Sequence, residues 1–147
     1  MARVSRVTVA KAVTSRVRRM VGDYVGDRDL AVDLVAEPVA VRCGTAVVYL
    51  RLVDGEPPVV RAFSPLLRHV QRSPDLLGEL NDLNAKVNFL RLFWRDGTVY
   101  AACEVLASTL TAAELTNICD AVAEAADYHD VRLHARFGGE ITFAERT

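Results

Sequence analysis

Asp96-Gly97 stands between two runs that alternate apolar and polar residues, 88–95 and 98–106. An Asp-Gly pair in that setting is the strongest short-range signal for a β-hairpin with a two-residue turn. Such a turn fixes the register, and register decides which side chains share a face. Arg95 then faces Thr98, Trp94 faces Val99, Leu92 faces Ala101 and Leu90 faces Cys103. The face holding Leu90, Leu92, Trp94, Val99, Ala101 and Cys103 is wholly apolar and must lie against other elements. The opposite face sets Phe93 against Tyr100, Arg91 against Ala102 and Phe89 against Glu104.

The rest of the chain supplies what that face needs. Val4, Val7, Ala10, Val13, Val17 and Met20 recur at steps of three or four, which predicts a helix from residue 3 to about 20. Gly22 is its expected stop, and Arg16, Arg18 and Arg19 suit its negative pole. From Leu30 to Phe63 the pattern turns to β. The runs 31–37 and 39–43 flank Pro38, 45–53 is the clearest strand, and 54–58 turns the chain into 59–63. Ser73 and Pro74 read as N-cap and first residue of a second helix, with Leu76, Leu77, Leu80, Leu83 and Val87 on its buried side. Thr111 and Glu114 form a capping box. The stripe Leu115, Ile118, Cys119, Val122, Ala126, Leu133 and Phe137 then predicts one long helix ending at Gly138-Gly139. The order is α-β-β-β-α-β-β-α, and the expected class is α+β: a single antiparallel sheet with helices packed on one face.

All 147 residues are read as a single domain, with a flexible tail over 140–147. Eighteen basic against nineteen acidic side chains give a net charge of −1, which argues against a general polyanion binder. Residues 1–22 nonetheless hold six basic side chains and no acidic one. No run of apolar residues is long enough to span a membrane, and Lys11 and Arg16 interrupt any signal-peptide core. Three widely spaced cysteines suit a reducing cytoplasm. Sixteen of the eighteen basic residues are Arg, which with the abundant Ala and Val suggests a GC-rich bacterial genome.

Catalytic chemistry finds little footing. No phosphate-binding glycine loop, nucleophile elbow or metalloprotease helix motif occurs. His129 and His134 are five apart and diverge on a helix. Cys43, Cys103 and Cys119 lack zinc spacing, and the last two fall on apolar faces. Ser64 and His69 are near in sequence with nothing to orient them. The expectation is no enzyme, no catalytic residue, no cofactor and no metal.

The informative part is the face turned away from the helices. In the earlier hairpin Val48, Leu50, Leu52, Val60 and Ala62 share the apolar side. Together the two hairpins place Tyr49, Phe63, Phe89, Phe93 and Tyr100 on the outer side, interleaved with Arg51, Arg61, Arg91 and Arg95. Tyr, Phe and Arg in that density make the composition of an interaction surface. Cover by the first helix or by Ile141 and Phe143 is the plain alternative. Stacking of nucleobases is another, against which the balanced charge argues.

The segments 47–52 and Pro57-Pro58-Val59-Val60-Arg61-Ala62-Phe63-Ser64-Pro65-Leu66-Leu67 resemble the bacterial YbjN-like family, grouped with type III secretion chaperone-like proteins. So do 73–77 with 80–84, Phe89, Phe93-Trp94, Asp96-Gly97-Thr98-Val99, and the ending Ala126-Asp127 with Arg136-Phe137-Gly138-Gly139. The likeness covers roughly 40–139. The stretch 27–42 departs from it in length and in carrying Pro38. The resemblance implies an α-β-β-β-α-β-β-α sandwich, often homodimeric, that holds partner polypeptide without ATP. The resulting expectation is a non-enzymatic, cytoplasmic chaperone-like or adaptor module for a protein or peptide partner. The alternatives are a small nucleic-acid-binding regulator and a homo-oligomeric scaffold with no separate client.

Overall fold

A computed structural model describes residues 2–143, and side chains from residue 11 onward. The order is α1 (Ala2–Val25), β1 (Val39–Cys43), β2 (Ala46–Val53), β3 (Val59–Arg68), α2 (Pro74–Asn84), β4 (Arg91–Arg95), β5 (Thr98–Leu106), α3 (Ala112–Phe137) and a short β6 (Glu140–Ile141). The strands form one antiparallel sheet in the order β1-β2-β3-β5-β4, with β6 pairing the end of β3. The α+β architecture and the order of its main elements are those expected. β6 is an addition.

Alternation builds the core. β2 alternates buried and half-buried residues along its whole length. Its Val48, Leu50 and Leu52 join Val60, Ala62, Leu92, Val99 and Ala101 on one sheet face. Onto that face α3 brings Leu115, Ile118, Cys119, Val122, Ala126 and Leu133, while α2 brings Leu76 and Leu80. α1 packs chiefly on α3 and adds Val17 and Val21. All three helices therefore occupy one side.

Local chemistry sets the element ends. The Ser73 hydroxyl accepts from the Leu76 N–H at 3.1 Å, and Thr111 accepts from the Glu114 N–H at 3.1 Å. These are the two predicted N-caps. α3 runs unbroken to Gly138, whose N–H reaches the His134 carbonyl. The hairpin turn has φ of 49° at Asp96 and 86° at Gly97, both positive as a type I′ turn requires. Its register from Arg95–Thr98 to Arg91–Ala102 is the derived one.

Three expectations need correction. α1 does not stop at Gly22 but continues to Val25, and Gly26 (φ 77°) ends it. The Asp27 N–H bonds the Gly22 carbonyl and the Gly26 N–H bonds that of Asp23, a Schellman cap. Gly22 serves that fold-back differently: a Cβ there would lie 2.6 Å from the Asp27 carbonyl oxygen. Second, 31–37 is not a strand. It bends at 34–36, where Leu34 is buried as a plug and its carbonyl accepts the Leu52 N–H. Third, the hairpin strand begins at Arg91 rather than residue 88, so the pairings of Leu90 with Cys103 and Phe89 with Glu104 do not form.

The backbone takes a positive φ of 64° at Phe89, which breaks the extended run just before β4; the outer edge of the strand that follows is held by Asn84. Its side-chain N–H donates to the Leu92 carbonyl at 2.9 Å, and its Oδ1 accepts the Leu92 N–H at 2.7 Å. The last residue of α2 thus occupies the outer edge of β4 as a partner strand would. Trp94 ties the same hairpin to the β3–α2 linker, donating to the Val70 carbonyl at 2.8 Å. The Val70 N–H in turn reaches the Gly97 carbonyl.

Candidate binding face on the outer side of the sheet

With every helix on one side, the odd-numbered residues of β2, those of β3 up to the register shift after Pro65, and their neighbours on β5 and β4 turn outward. Tyr49 sits opposite Phe63, Arg51 opposite Arg61, and Phe93 opposite Tyr100. Arg61 faces Glu104 on β5, and Pro65 faces Tyr100. This register brings eight of the nine predicted residues together: Tyr49, Arg51, Arg61, Phe63, Arg91, Phe93, Arg95 and Tyr100. Each keeps some solvent exposure.

Phe89 is the exception. It lies in the loop before β4 at φ 64°, with 92% of its surface exposed. The early end of the β4–β5 pairing takes it out of the row.

The aromatic rings form one continuous ladder. Tyr49 stacks on Phe63 at 5.4 Å between centroids, Phe63 meets Tyr100 edge-on at 6.4 Å, and Tyr100 stacks on Phe93 at 5.4 Å. Such pairs prefer offset and T-shaped contacts and contribute about 0.5–1.5 kcal/mol each beyond area burial. The Arg91 guanidinium lies 5.5 Å from the Phe93 ring centre.

One carboxylate organises the cations. Glu104 accepts from Arg61 Nε at 2.7 Å and from both terminal nitrogens of Arg91. Burial alone would raise its pKa, but the hydrogen bonds from Arg91 and Arg61 outweigh that and hold it below the usual carboxylate range. Arg51 donates to the Val35 carbonyl at 2.8 Å, so the bend at 34–36 positions a guanidinium. Arg51, Arg61, Phe63, Phe93, Arg95, Asp96 and Tyr100 line an open hollow of about 260 Å³. Sequence reasoning put Glu104 on this face without counting it a site residue, although a single acid among four outward arginines was the signal for its role.

Neither α1 nor Ile141 supplies the cover. α1 lies on α3, and Ile141 pairs with Leu67 and packs toward the core. Arg16 does not serve the helix pole, which the longer α1 moves away from it; it donates to the Ser108 and Leu110 carbonyls. Arg18, Arg19 and Arg28 with Asp29 border a separate hollow on α1.

The residues weighed for catalysis are scattered. Ser64 is fully buried and donates to the Val47 carbonyl, whereas His69 is exposed, 3.9 Å from Glu140. Burial pushes the Cys119 thiol up to about 12 and raises Cys103 as well. His129 is buried, and burial lowers its pKa. Among the described residues no three His, Cys, Asp or Glu side chains are grouped as metal ligands, and no helix is long and apolar enough to cross a membrane.

Comparison with solved structures returns a chain of the ExsC–ExsE complex, at TM-score 0.64 and 18% identity. The match covers 80% of this chain and 93% of that one, and it shows the shared fold. No curated protein matches by sequence. The family described as T3SS (YopN, CesT) and YbjN peptide-binding chaperone 1 matches over residues 9–145, nearly the whole chain. That span takes in both hairpins and α3, so this chain belongs to the T3SS and YbjN peptide-binding chaperone family, TY-Chap1.

Proposed function

We propose that this chain is a non-enzymatic chaperone-like module that holds a segment of a partner polypeptide on the outer face of its sheet. The observation that carries the reading is the ring ladder Tyr49–Phe63–Tyr100–Phe93 lying open beside four guanidiniums, opposite all three helices. Membership of a peptide-binding family supports it, as does a structural neighbour taken from a two-protein complex. Rings supply contact area with few rotors to freeze, and Arg supplies a planar fork of donors for carboxylates or backbone carbonyls. The protein acts in the cytoplasm without ATP, as a homodimer.

The test is co-purification of tagged wild type and variants with their partner polypeptide. Phe93→Ala or Arg91→Ala weakens partner binding by about 1–3 kcal/mol. Light scattering on the same samples separates a client from a second copy. If the face is the dimer contact, both variants turn monomeric and no client is lost. Unchanged client binding in both variants refutes the proposal.

A further inference from the structure

The charge on the outer face differs from that of the chain around it. Four guanidiniums, Arg51, Arg61, Arg91 and Arg95, share it with two carboxylates, Glu104 and Asp96, while the whole chain carries a net charge of −1. The cations are not equivalent. Arg61 and Arg91 both bond Glu104 and are neutralised in part by it. Arg51 is held against the neutral Val35 carbonyl, and Arg95 meets Asp96 only at 3.8 Å with both side chains largely exposed. The least compensated positive charge therefore borders the hollow whose floor is the rings of Phe63, Phe93 and Tyr100.

We infer that the hollow selects an acidic segment: an extended peptide with a large apolar side chain on the rings and Asp or Glu side chains to either side of it, one taken by Arg51 and another by Arg95. This rests on the outer face being the peptide site and adds the class of peptide it takes. An acidic group satisfies the surplus charge with charge-assisted bonds to planar donors. A basic segment would face four guanidiniums with only Glu104 and Asp96 in its favour. Glu104 opposes such a segment, because it places a like charge on the same face and partly neutralises Arg61 and Arg91.

A random dodecapeptide phage library panned on the full-length protein tests this, followed by affinities of the selected synthetic peptides. The expected selection couples Phe, Leu or Ile with Asp or Glu. The joint change Arg51→Gln and Arg95→Gln weakens those peptides at least tenfold, with little effect on versions carrying Gln for Asp and Glu. Glu104→Gln tightens the acidic peptides several-fold, and raised salt weakens them. Arg95 is exposed, so Arg95→Gln alone keeps the test valid should the double variant misfold. Peptides lost on Phe93→Ala but lacking acidic residues, or indifferent to the Arg changes, overturn the acidic selection and leave the face as the site. Peptides that bind Phe93→Ala as well as wild type, or a panning that selects none, overturn both.

Discussion

Glu104 sits between two guanidiniums, and its depressed pKa makes a pH prediction with a definite sign. A carboxyl whose pKa is lower in the folded state stabilises the fold above its unfolded pKa, and that contribution is lost as pH falls through the folded value. Wild type should exceed Glu104→Gln by about 1 kcal/mol near neutrality, a figure kept low because Arg91 is half exposed. The gap should close in acid, below the usual carboxylate range, and urea unfolding at several pH values measures it. A gap that does not change with pH contradicts the ion cluster. The thiols give a second check: Cys43 is only partly covered, whereas Cys103 and Cys119 are buried. A thiol reagent should label Cys43 in the native protein and the other two only on unfolding. Most of the outward face could be read in the sequence because a two-residue turn fixes outward and inward positions together. Glu104 was assigned to the right face but not to its partners, since register says who faces whom and not which side chains reach across strands.

The elements follow from signals of unequal strength. Both N-caps and the hairpin turn rest on local backbone chemistry and were legible for that reason. The segment 31–37 was not, because Val32, Leu34 and Val35 look like a strand while Leu34 turns in to plug the core and the backbone bends after it. Nor was the start of β4, which follows the positive φ at Phe89. Leu92 tests the face assignment: it is 1% exposed, so Leu92→Ala should cost roughly 2–5 kcal/mol in chemical denaturation. A loss below about 0.5 kcal/mol would reverse the two faces, given what cavities in cores cost. Asn84→Ala strips two partners from the Leu92 backbone and should cost about 1–3 kcal/mol where water does not replace them. It also uncovers the β4 edge, so self-association on gel filtration should rise with it.

At the scale of the whole molecule, the sheet has a helix-covered side and an open one, and the functional reading depends on the open side being where the partner lies. Stability and binding are not fully separable there. Phe93 stacks on Tyr100, so Phe93→Ala carries its own folding cost of about 1 kcal/mol. The competing exposed apolar patch is on α3, where Tyr128 is 56% and Val131 60% exposed, with the Arg132 guanidinium 3.8 Å from the Tyr128 ring centre. A photocrosslinker decides between the two. Benzoylphenylalanine at Thr98, opposite Arg95, reports on the sheet face, and at Val131 on the helix side, with neither change touching the core. Irradiation of each with the bound partner polypeptide should give a covalent adduct from position 98 and none from 131. Adducts from 131 alone would place the partner on the helices and contradict the account.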